Sequence, residues 1–510
     1  MADNPLIAGI DVGTTNIKAV VFAPDGGIVA EASAPTLIHY PQPGWAYYDP
    51  EEIWQSVVQV LRQATGQLAD PSRIAGVAVA SVGEAGVPLD AHGQPTYEAI
   101  AWFDQRTQPQ VDWLDRAIGR DRLFALTGLS LQPIFGLCKL LWIKQNEPAV
   151  FSRTVRWLNI ADYIAYRLCG VPATDYSLAS RTLALNLARL EWDRELVREM
   201  GLSPDLLAPL QASGSPLGPV TAAAAAATGL PATALVSPGG HDHVCGALAL
   251  GVAQPGRVLN SMGTAEAIFV PLDRPLTDPV MSRQGYTQGA HVVAGHYYVL
   301  AGLYTSGACV DWFRELLGTE ADYAGLIAEA EQVPPGSLGV SFLPHLRLAN
   351  PPYDDPKGRG AFIGLSTDAK RGALFRAILE GLAYEARHSL EVLLAYPGVA
   401  PLQNLYLIGG STRNHLLLQL KATVFNQPVI VSEVTETTSL GAAMLGGLGA
   451  GVYPDLAAAL AMLRYKQVVV EPLAELAPRY EAYFRQVYQK IYLALRDLHH
   501  AGYRLQHGSG

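Results

Sequence analysis

Cysteine is scarce in this chain. Its 510 residues include four cysteines, without the close pairing of a zinc ribbon or a small disulfide scaffold: Cys138, Cys169, Cys245 and Cys309. Scattered cysteines of this kind are usually buried free thiols in proteins of a reducing compartment. We therefore expect a cytoplasmic protein whose stability comes from apolar cores rather than from cross-links.

Long apolar runs and excess positive charge are also lacking. The alanine run at residues 222–227 is much shorter than the roughly 18 apolar residues that a membrane-spanning helix needs. The net charge is −10, whereas nucleic acids and anionic membranes attract basic proteins. The polar residues 1–5 are unlike a secretory signal peptide. We expect no nucleic-acid partner and no membrane association. A nucleotide is not excluded, because backbone N–H groups and Mg²⁺ hold phosphate without basic side chains.

The first half of the chain has the pattern of an antiparallel meander followed by a helix. Apolar, β-branched segments at residues 6–12, 16–22 and 28–33 are separated by glycine-containing turns. The Asp-Pro pair at residues 49–50 suits a helix N-cap and first helical position. A further strand is expected at residues 74–80.

The second half repeats this arrangement. Its patterns predict strands at residues 257–261, 266–270, 296–301 and 404–408, and helices at 306–317, 371–394 and 412–425. Both halves begin with a strand that runs into a Gly-Thr turn, so we expect duplicated α/β domains facing each other across a cleft. We place the first domain at residues 1–250 and the second at 251–490. Residues 491–510 would hold the end of a terminal helix and a disordered tail.

Three glycine-containing turns follow strands and could hold phosphate groups. They lie at residues 11–15 (DVGTT), 262–265 (MGTA) and 409–414 (GGSTRN). Glycine lets the backbone approach a phosphate, and Asp11 at the end of its strand suits hydrated Mg²⁺. Taken singly, each turn also fits an ordinary β-turn or strand-to-helix connection. Their order favours one nucleotide lying across a cleft, with the first two loops on opposite walls and the third beside the base.

The same segments resemble the FGGY carbohydrate kinases. Residues 9–18 (GIDVGTTNIK) are similar to the family's first phosphate loop, residues 261–264 (SMGT) to its second, and residues 407–414 (LIGGSTRN) to its adenosine motif. Other similar segments follow in family order: residues 101–107, 175–182, 359–365 and 438–451. The resemblance therefore extends over nearly the whole chain.

The resemblance implies an α/β protein with the actin-like ATPase (ribonuclease H-like) fold, built of two duplicated α/β domains around a central cleft. It also implies ATP-dependent phosphorylation of a hydroxyl on a small sugar or polyol. ATP and Mg²⁺ would lie in the cleft, and the acceptor would lie deeper, mainly against the first domain. A homodimer is a family-level expectation.

Asp242, in residues 238–246 (PGGHDHVCG), is the general base that the resemblance implies. Two glycines before a helix-like segment place its carboxylate near a helix N-terminus, where the helix dipole favours the ionised form. For the His-Asp-His triplet at 241–243, the alternatives are a metal cluster and a solvated turn. Adjacent side chains point in different directions, which disfavours the metal cluster.

The resemblance also implies roles for the other site residues. Substrate contacts are expected from Glu84, Trp102, Asp242 and His243. Nucleotide contacts are expected from Asp11, Gly13, Thr14, Thr15, Lys18, Gly263, Thr264, Gly409, Gly410 and Asn414, and Mg²⁺ contacts from Asp11 and Asp242. The alternative for Glu84 is a surface charge in a loop, and for Trp102 a position in the core. Asp104 and Arg106 are expected to form a structural ion pair.

Residues 83–85 (GEA) depart from two branches of the family. Glycerol kinases carry Arg-Glu where Gly83 and Glu84 stand, and xylulokinases carry Met-His-Gly at 83–85, so both acceptors would lose their usual contacts. Residues 240–242 (GHD) resemble the catalytic segment of the deoxyhexulose kinases, which favours a ketohexose, a deoxyketose or a pentulose.

Two rival functions stay open at this point. One is an actin-like ATPase of chaperone or reactivase type, and the other is a kinase-like regulatory protein without sugar turnover. Asp242 and the Glu84 segment favour the kinase, because neither rival needs an acceptor base in the cleft.

Overall fold

The computed structural model describes residues 4–318 and 322–508. The first half contains the strands β1 (Leu6–Val12), β2 (Asn16–Phe22), β3 (Ile28–Pro35), β4 (Tyr47–Tyr48), β5 (Ile74–Ser81), β6 (Gly86–Leu89), β7 (Ala99–Ile100), β8 (Arg156–Asn159), β9 (Thr174–Asp175), β10 (Leu185–Asn186), β11 (Glu191–Trp192), β12 (Leu210–Gln211), β13 (Gly218–Pro219) and β14 (Leu235–His241). The second half contains β15 (Arg257–Met262), β16 (Glu266–Leu272), β17 (Tyr286–Ala290), β18 (Tyr297–Leu303), β19 (Ser341–Leu343), β20 (Ala361–Ile363), β21 (Asn404–Ile408), β22 (Val429–Ser432) and β23 (Gln467–Val470).

The helices of the first half are α1 (Pro50–Thr65), α2 (Gln108–Ala117), α3 (Arg120–Thr127), α4 (Gly136–Asn146), α5 (Pro148–Phe151), α6 (Ile160–Cys169), α7 (Tyr176–Ser180), α8 (Arg194–Glu199), α9 (Ala222–Thr228) and α10 (Asp242–Ala249). Those of the second half are α11 (Pro279–Arg283), α12 (Gly307–Leu317), α13 (Tyr323–Glu331), α14 (Arg371–Leu394), α15 (His415–Phe425), α16 (Thr437–Gly449), α17 (Leu456–Met462), α18 (Ala477–Tyr483) and α19 (Gln489–His507).

Each half is built around one mixed sheet of the same plan. The first sheet has the order β13-β14-β5-β1-β2-β3, in which β1, β2 and β3 form an antiparallel meander and β5 and β14 run parallel to β1. The second has the order β17-β18-β16-β15-β21-β22-β23, in which β15, β16 and β18 form the meander and β21 and β22 run parallel to β15. This repeat confirms the predicted fold of two duplicated α/β domains.

Helix α1 shows how the local sequence sets these elements. Asp49 accepts hydrogen bonds from the N–H groups of Glu51 (2.8 Å) and Glu52 (3.1 Å), and Pro50 occupies the first turn. An N-cap of this kind stabilises a helix by about 1 kcal/mol. The buried stripe of the helix, which includes Ile53 and Val57, packs against the first sheet. The predicted start of this helix is confirmed.

Helices α10 and α16 join the two halves. A Cβ atom added to Gly441 of α16 would lie 1.9 Å from the carbonyl oxygen of Cys245 in α10, so the two backbones touch. On its other side α16 approaches β1, where a Cβ atom at Gly9 would lie 1.8 Å from the carbonyl oxygen of Ser439. The small-residue segment at 438–451 thus belongs to the second half in sequence but packs on the sheet of the first.

Part of the first half also packs directly on the second sheet. Phe124 and Leu187 share an apolar core with Val299 of β18. The N–H of Gln288 donates to the carbonyl oxygen of Gly128 (2.8 Å), and the N–H of Ala290 donates to Ser180 Oγ (2.9 Å). Strand β17 is therefore fixed against the first half at the inner end of the cleft.

The C-terminal helix α19 continues to His507. The sequence predicted a disordered tail from Gln506 onward, but Gln506 and His507 are the last residues of this helix and continue its hydrogen bonding. Residues 509–510 lie outside the described residues. Among helices in the described part of the chain, none has the length and apolar character that crossing a membrane requires.

Candidate active site

A cavity of about 510 Å³ lies in the cleft between the carboxyl ends of the two sheets. A volume of this order is typical of small-molecule sites. Side chains and backbone of both halves line it: Thr14, Gly83, Glu84, Trp102, Arg181, His241, Asp242 and His243 from the first half, and Gly263, Glu266, Thr287, Leu300, Gly302 and Tyr304 from the second. Five of the predicted site side chains, Thr14, Glu84, Trp102, Asp242 and His243, thus meet in one place.

Asp242 is the first residue of α10 and lies at the cavity wall. A bulge between Pro238 and Gly240 shifts the register of β14 on β5, and pairing continues to His241, directly before the helix. The side chain of Asp242 is 23% exposed, so it is accessible from the cleft. The expectation of a carboxylate at a helix N-terminus is confirmed.

His241 supports Asp242 from the buried side. Its Nε2 lies 3.2 Å from Asp242 Oδ1, and its backbone N–H donates to Ser177 Oγ (2.9 Å). Burial lowers the pKa of His241 to about 3, so the ring is neutral at pH 7, while Asp242 Oδ1 accepts a hydrogen bond from the N–H of His243 (2.6 Å). His243, the next residue but one, is exposed at the rim.

Asp11 ends β1 close to Asp242. Its Oδ1 is buried without a hydrogen-bond partner. Burial first, and then the charge of Asp242, raise the pKa of the Asp11 carboxyl to about 8. Two nearby carboxylates with an unpartnered oxygen are a fitting set for Mg²⁺, a hard cation that binds one or two carboxylates and keeps several waters.

The first glycine turn is held in place by hydrogen bonds. Thr36 Oγ1 donates to the carbonyl oxygen of Gly13 (2.8 Å), and the N–H of Thr36 donates to the carbonyl oxygen of Thr15 (2.9 Å). Trp102 Nε1 donates to Thr14 Oγ1 (2.9 Å), which joins this turn to the cavity wall formed by Trp102. The indole is 37% exposed, so Trp102 is not a core residue.

Lys18 lies opposite Asp11 on the paired strand β2. Its ammonium group forms an ion pair with Glu436, 2.8 Å from Oε1, just before α16. In this state Lys18 therefore ties the first turn to the helix that joins the two halves. A nucleotide contact by Lys18, as predicted, would require its ammonium group to interact with a phosphate and with Glu436 at the same time.

The second glycine turn rests on the start of α12. The N–H groups of Ser306 and Ala308 donate to the carbonyl oxygen of Thr264 (3.0 Å each). The N–H group of Gly307 donates to the carbonyl oxygen of Gly263 (3.0 Å). These bonds fix the loop, while Gly263 and Thr264 stay exposed.

The third turn follows β21, the strand that pairs in parallel with β15. Gly409 and Gly410 are exposed beside the second turn. Asn414 caps α15 by accepting from the N–H of Leu417 (3.1 Å), and its Nδ2 donates to Tyr323 Oη (3.0 Å). The buried amide therefore has a structural role in this turn.

Glu84 is buried at the floor of the cavity rather than exposed as a loop charge. Arg181 Nε donates to its Oε1 (2.7 Å), and Lys139 Nζ donates to its backbone carbonyl oxygen and to that of Ile100 (3.1 Å). A Cβ atom at Gly83 would lie 2.6 Å from the His241 ring and 3.0 Å from Arg181 Cγ. A larger residue at position 83 would thus collide first with the His241 ring and would also crowd the stem of Arg181.

Glu266 forms the corresponding buried network on the second domain. Its Oε1 accepts from Asn260 Nδ2 (2.8 Å), its Oε2 accepts from Ser306 Oγ (2.8 Å), and Lys421 pairs with the same carboxylate. Burial lowers the pKa of Lys421. The network connects β15, β16, α12 and α15, and so fixes the elements around the second turn.

Family models match both halves of the chain. The N-terminal domain of the FGGY family of carbohydrate kinases matches residues 6–249, and the C-terminal domain of the same family matches residues 258–450.

The chain belongs to the FGGY family of carbohydrate kinases.

Relatives of this FGGY kinase extend over nearly its whole length. It is 29% identical to a xylulose kinase of Bacillus subtilis (strain 168) over 496 residues, 97% of this chain and 98% of the relative. It is 31% identical to a glycerol kinase of Saccharolobus islandicus (strain M.14.25 / Kamchatka #1) over 460 residues, 88% of this chain and 89% of the relative. The solved structure of a xylulose kinase from Rhodospirillum rubrum is similar with a TM-score of 0.90 and 31% identity, covering 97% and 100% of the two chains. The predicted actin-like ATPase fold and the predicted carbohydrate kinase activity are confirmed.

Several cavity residues of the FGGY kinase were not assigned a role from the sequence. Arg181 lay in a segment that resembled the family, but its partner is 97 positions away in the chain. Thr287 and Lys139, which lies behind Glu84, carried no signal of their own, because packing of distant segments gives them their positions. His241 lay in the GHD segment that resembled the family, but only its neighbours were assigned roles. Asp104 and Arg106 form the expected buried ion pair (2.9 Å).

Proposed function

We propose that this FGGY kinase transfers the γ-phosphoryl group of ATP to a hydroxyl of a ketose (a pentulose, a hexulose or a deoxyketose) or of a polyol, with Asp242 as general base. One observation carries the proposal. The accessible Asp242 carboxylate, at the N-terminus of α10, shares a single cavity with Glu84 and Trp102 on one wall and Gly263 on the other. The family membership gives no support to the rival functions, an ATPase of chaperone or reactivase type and a regulatory protein without turnover.

Asp242 removes the proton of the attacking hydroxyl as its oxygen bonds to the γ-phosphorus, and ADP leaves with the electrons of the broken phosphorus–oxygen bond. Phosphoryl transfer needs mainly alignment and charge neutralisation from the protein. The neutral His241 ring holds Asp242 from behind at 3.2 Å. This contact fixes the direction of the carboxylate towards the cavity.

The acceptor is held next to this base. Arg181 bonds Oε1 of Glu84, and we assign Oε2 to the hydroxyls of the acceptor. Trp102 and His243, both exposed to the cleft, flank the acceptor at the rim. The flat indole suits the C–H face of a sugar.

The nucleotide lies along the three glycine turns in this proposal. Gly13, Thr14 and Thr15, with Lys18 beside them, face the phosphates from the first domain. The other contacts come from the second domain: Gly263, Thr264, Gly409, Gly410 and Asn414. Asp11 and Asp242 would hold Mg²⁺, which neutralises phosphate charge when bound. A cytoplasmic location and a homodimer complete the proposal.

Coupled ADP release with Mg²⁺ and ATP tests this function against ketopentoses, ketohexoses, deoxyketoses and polyols. We expect acceptor-dependent turnover that falls by about 10²- to 10⁴-fold in Asp242→Asn, the range of general-base contributions, with ADP affinity nearly unchanged. The asparagine preserves shape and removes the proton acceptor together with one of the two carboxylate charges proposed to hold Mg²⁺. Acceptor-independent hydrolysis, or full turnover in Asp242→Asn, would contradict the proposal.

A further inference from the structure

We propose that Thr287, on β17 of the second domain, is a specificity-determining residue whose hydroxyl hydrogen-bonds to an oxygen of the acceptor away from the reacting hydroxyl. The inference rests on the proposed function and deepens it. It makes acceptor selection a joint task of both domains, whereas the family resemblance placed the acceptor mainly against the first.

Strand geometry directs Thr287 into the cavity. Side chains alternate along a strand, and both neighbours of Thr287 are fixed on the opposite face. Tyr286 Oη donates to the carbonyl oxygen of Ser389 (2.8 Å). Gln288 forms a pair of hydrogen bonds, 2.7 Å each, with the backbone N–H and carbonyl oxygen of Leu276. Thr287 consequently faces the cleft and lines the cavity.

The hydroxyl of Thr287 lacks a partner. Its Oγ1 is buried and forms no hydrogen bond in the structure. A buried hydroxyl without a partner is destabilising, so such groups usually have a ligand, a water or a protein partner. Its neighbours Leu300 and Gly302 of β18 and Ala267 of β16 offer no side-chain donor or acceptor, and the hydroxyl of Tyr298, diagonal to Thr287 on the same face, forms no hydrogen bond with it. Rotation about the Cα–Cβ bond of Thr287 would bring this hydroxyl from its buried position to the cavity, where a polyhydroxy ligand would supply the missing bond.

The same wall bears on the length of the acceptor. Arg181, at the floor of the cavity, lies next to Tyr298, and Tyr298 pairs with Gly289 of β17. Thr287 is two residues from Gly289 on the same face, about 7 Å along the strand. In this proposal the Arg181 end and the Thr287 end of the wall contact opposite ends of the acceptor. A ketose of five or six carbons, with oxygens along its chain, suits such a pair of contacts better than a three-carbon triol.

Two variants separate the hydroxyl from the shape of the side chain. Thr287→Val keeps the branched shape without the hydroxyl, and Thr287→Ser keeps the hydroxyl. Binding of ketopentoses, ketohexoses and glycerol is measured by calorimetry without ATP, so that the readout does not need turnover. We expect Thr287→Val to weaken ketose binding by about 10- to 100-fold, the usual effect of a lost hydrogen bond to a substrate oxygen, while Thr287→Ser and glycerol affinity change little.

Three results would overturn the inference: ketose affinity within about twofold of wild type in Thr287→Val, a loss in Thr287→Ser as large as in Thr287→Val, or no ketose binding by the wild-type protein. Coupled ADP release on the same proteins tests the proposed function separately. Ketose binding that depends on the Thr287 hydroxyl but gives no turnover would support the role of Thr287 and contradict the kinase proposal.

Discussion

Arg181 and Glu84 form a buried ion pair at the floor of the cleft, with Arg181 Nε 2.7 Å from Glu84 Oε1. The two side chains are 3% and 9% exposed. The pair connects the segment after β5 to the segment after α7, and Gly83 leaves the space in which the guanidinium approaches. The acceptor wall of the first domain therefore depends on a contact between distant parts of the chain.

Removing one member of this pair should be far more harmful than removing both. Arg181→Met leaves the Glu84 charge buried and unpaired, and we expect the free energy of unfolding to fall by about 3–5 kcal/mol. The double variant Glu84→Gln/Arg181→Met removes both charges of the pair and should regain much of that loss. Urea unfolding of the wild type, both single variants and the double variant gives the coupling energy. Strictly additive losses would show that the two side chains do not stabilise each other.

Lys139 predicts a dependence of stability on pH. Burial lowers the pKa of its ammonium group to about 7, and the charges that face it are Glu84, Asp104 and Arg106. The neighbouring Cys138 thiol stays protonated, because burial raises its pKa to about 12. Between about pH 7 and pH 10.5 the unfolded chain holds a proton on Lys139 that the folded chain has lost, so stability rises with pH in this window.

Lys139→Met removes that contribution. Relative to the variant, the wild-type free energy of unfolding should increase by up to about 1.4 kcal/mol per pH unit in the window. Groups common to both proteins cancel in the comparison. The measurement is chemical unfolding of both proteins at several pH values from 7 upward. A constant difference between them would mean that Lys139 keeps its ordinary pKa in the fold.

The sequence was informative where function depends on local backbone geometry. A strand followed by a glycine turn or a helix start can be recognised from adjacent residues, so the first and second turns and the position of Asp242 at a helix N-terminus were predicted correctly. Asp49 at the start of α1 was predicted for the same reason. These features need only the residues next to them.

Residues whose role depends on long-range packing could not be predicted. Arg181 reaches Glu84 because two segments meet in the folded chain, and Thr287 faces the cavity only because β17 pairs with β18 at the domain interface. Lys18 was predicted to bind the nucleotide, yet its pairing with Glu436 depends on the packing of α16 against the first sheet. Such contacts leave no periodic signal in the sequence.

The junction between the halves makes a prediction about two glycines. In Gly441→Ala the new methyl group would collide with the carbonyl oxygen of Cys245, 1.9 Å away, and separating α10 from α16 should destabilise the fold by about 1–3 kcal/mol or more. Gly502, within α19, has no heavy atom within 4 Å of an added Cβ atom. Gly502→Ala should therefore stabilise the protein by about 0.5–1 kcal/mol through helix propensity. Thermal unfolding of the two variants compares the effects. A Gly441→Ala protein as stable as wild type would contradict the close packing of α10 and α16.

Gly302 offers a test of which ligand the second-domain wall faces. It lines the cavity on β18, and an added Cβ atom would meet no heavy atom within 4 Å. A larger side chain there should fold normally, since β-branched residues suit strands, and should occupy space inside the cavity. We expect Gly302→Val to lower kcat/KM for ketohexoses by about tenfold or more and for the shortest acceptors by much less, with Gly302→Ala intermediate.

The measurement is coupled ADP release over a series of acceptors of increasing length, with the KM for ATP determined in parallel. If the KM for ATP rises while discrimination by acceptor length stays the same, the wall contacts the nucleotide instead. Thr287 and Gly302 share this wall, so a graded loss with acceptor length would place the far end of the acceptor against the second domain.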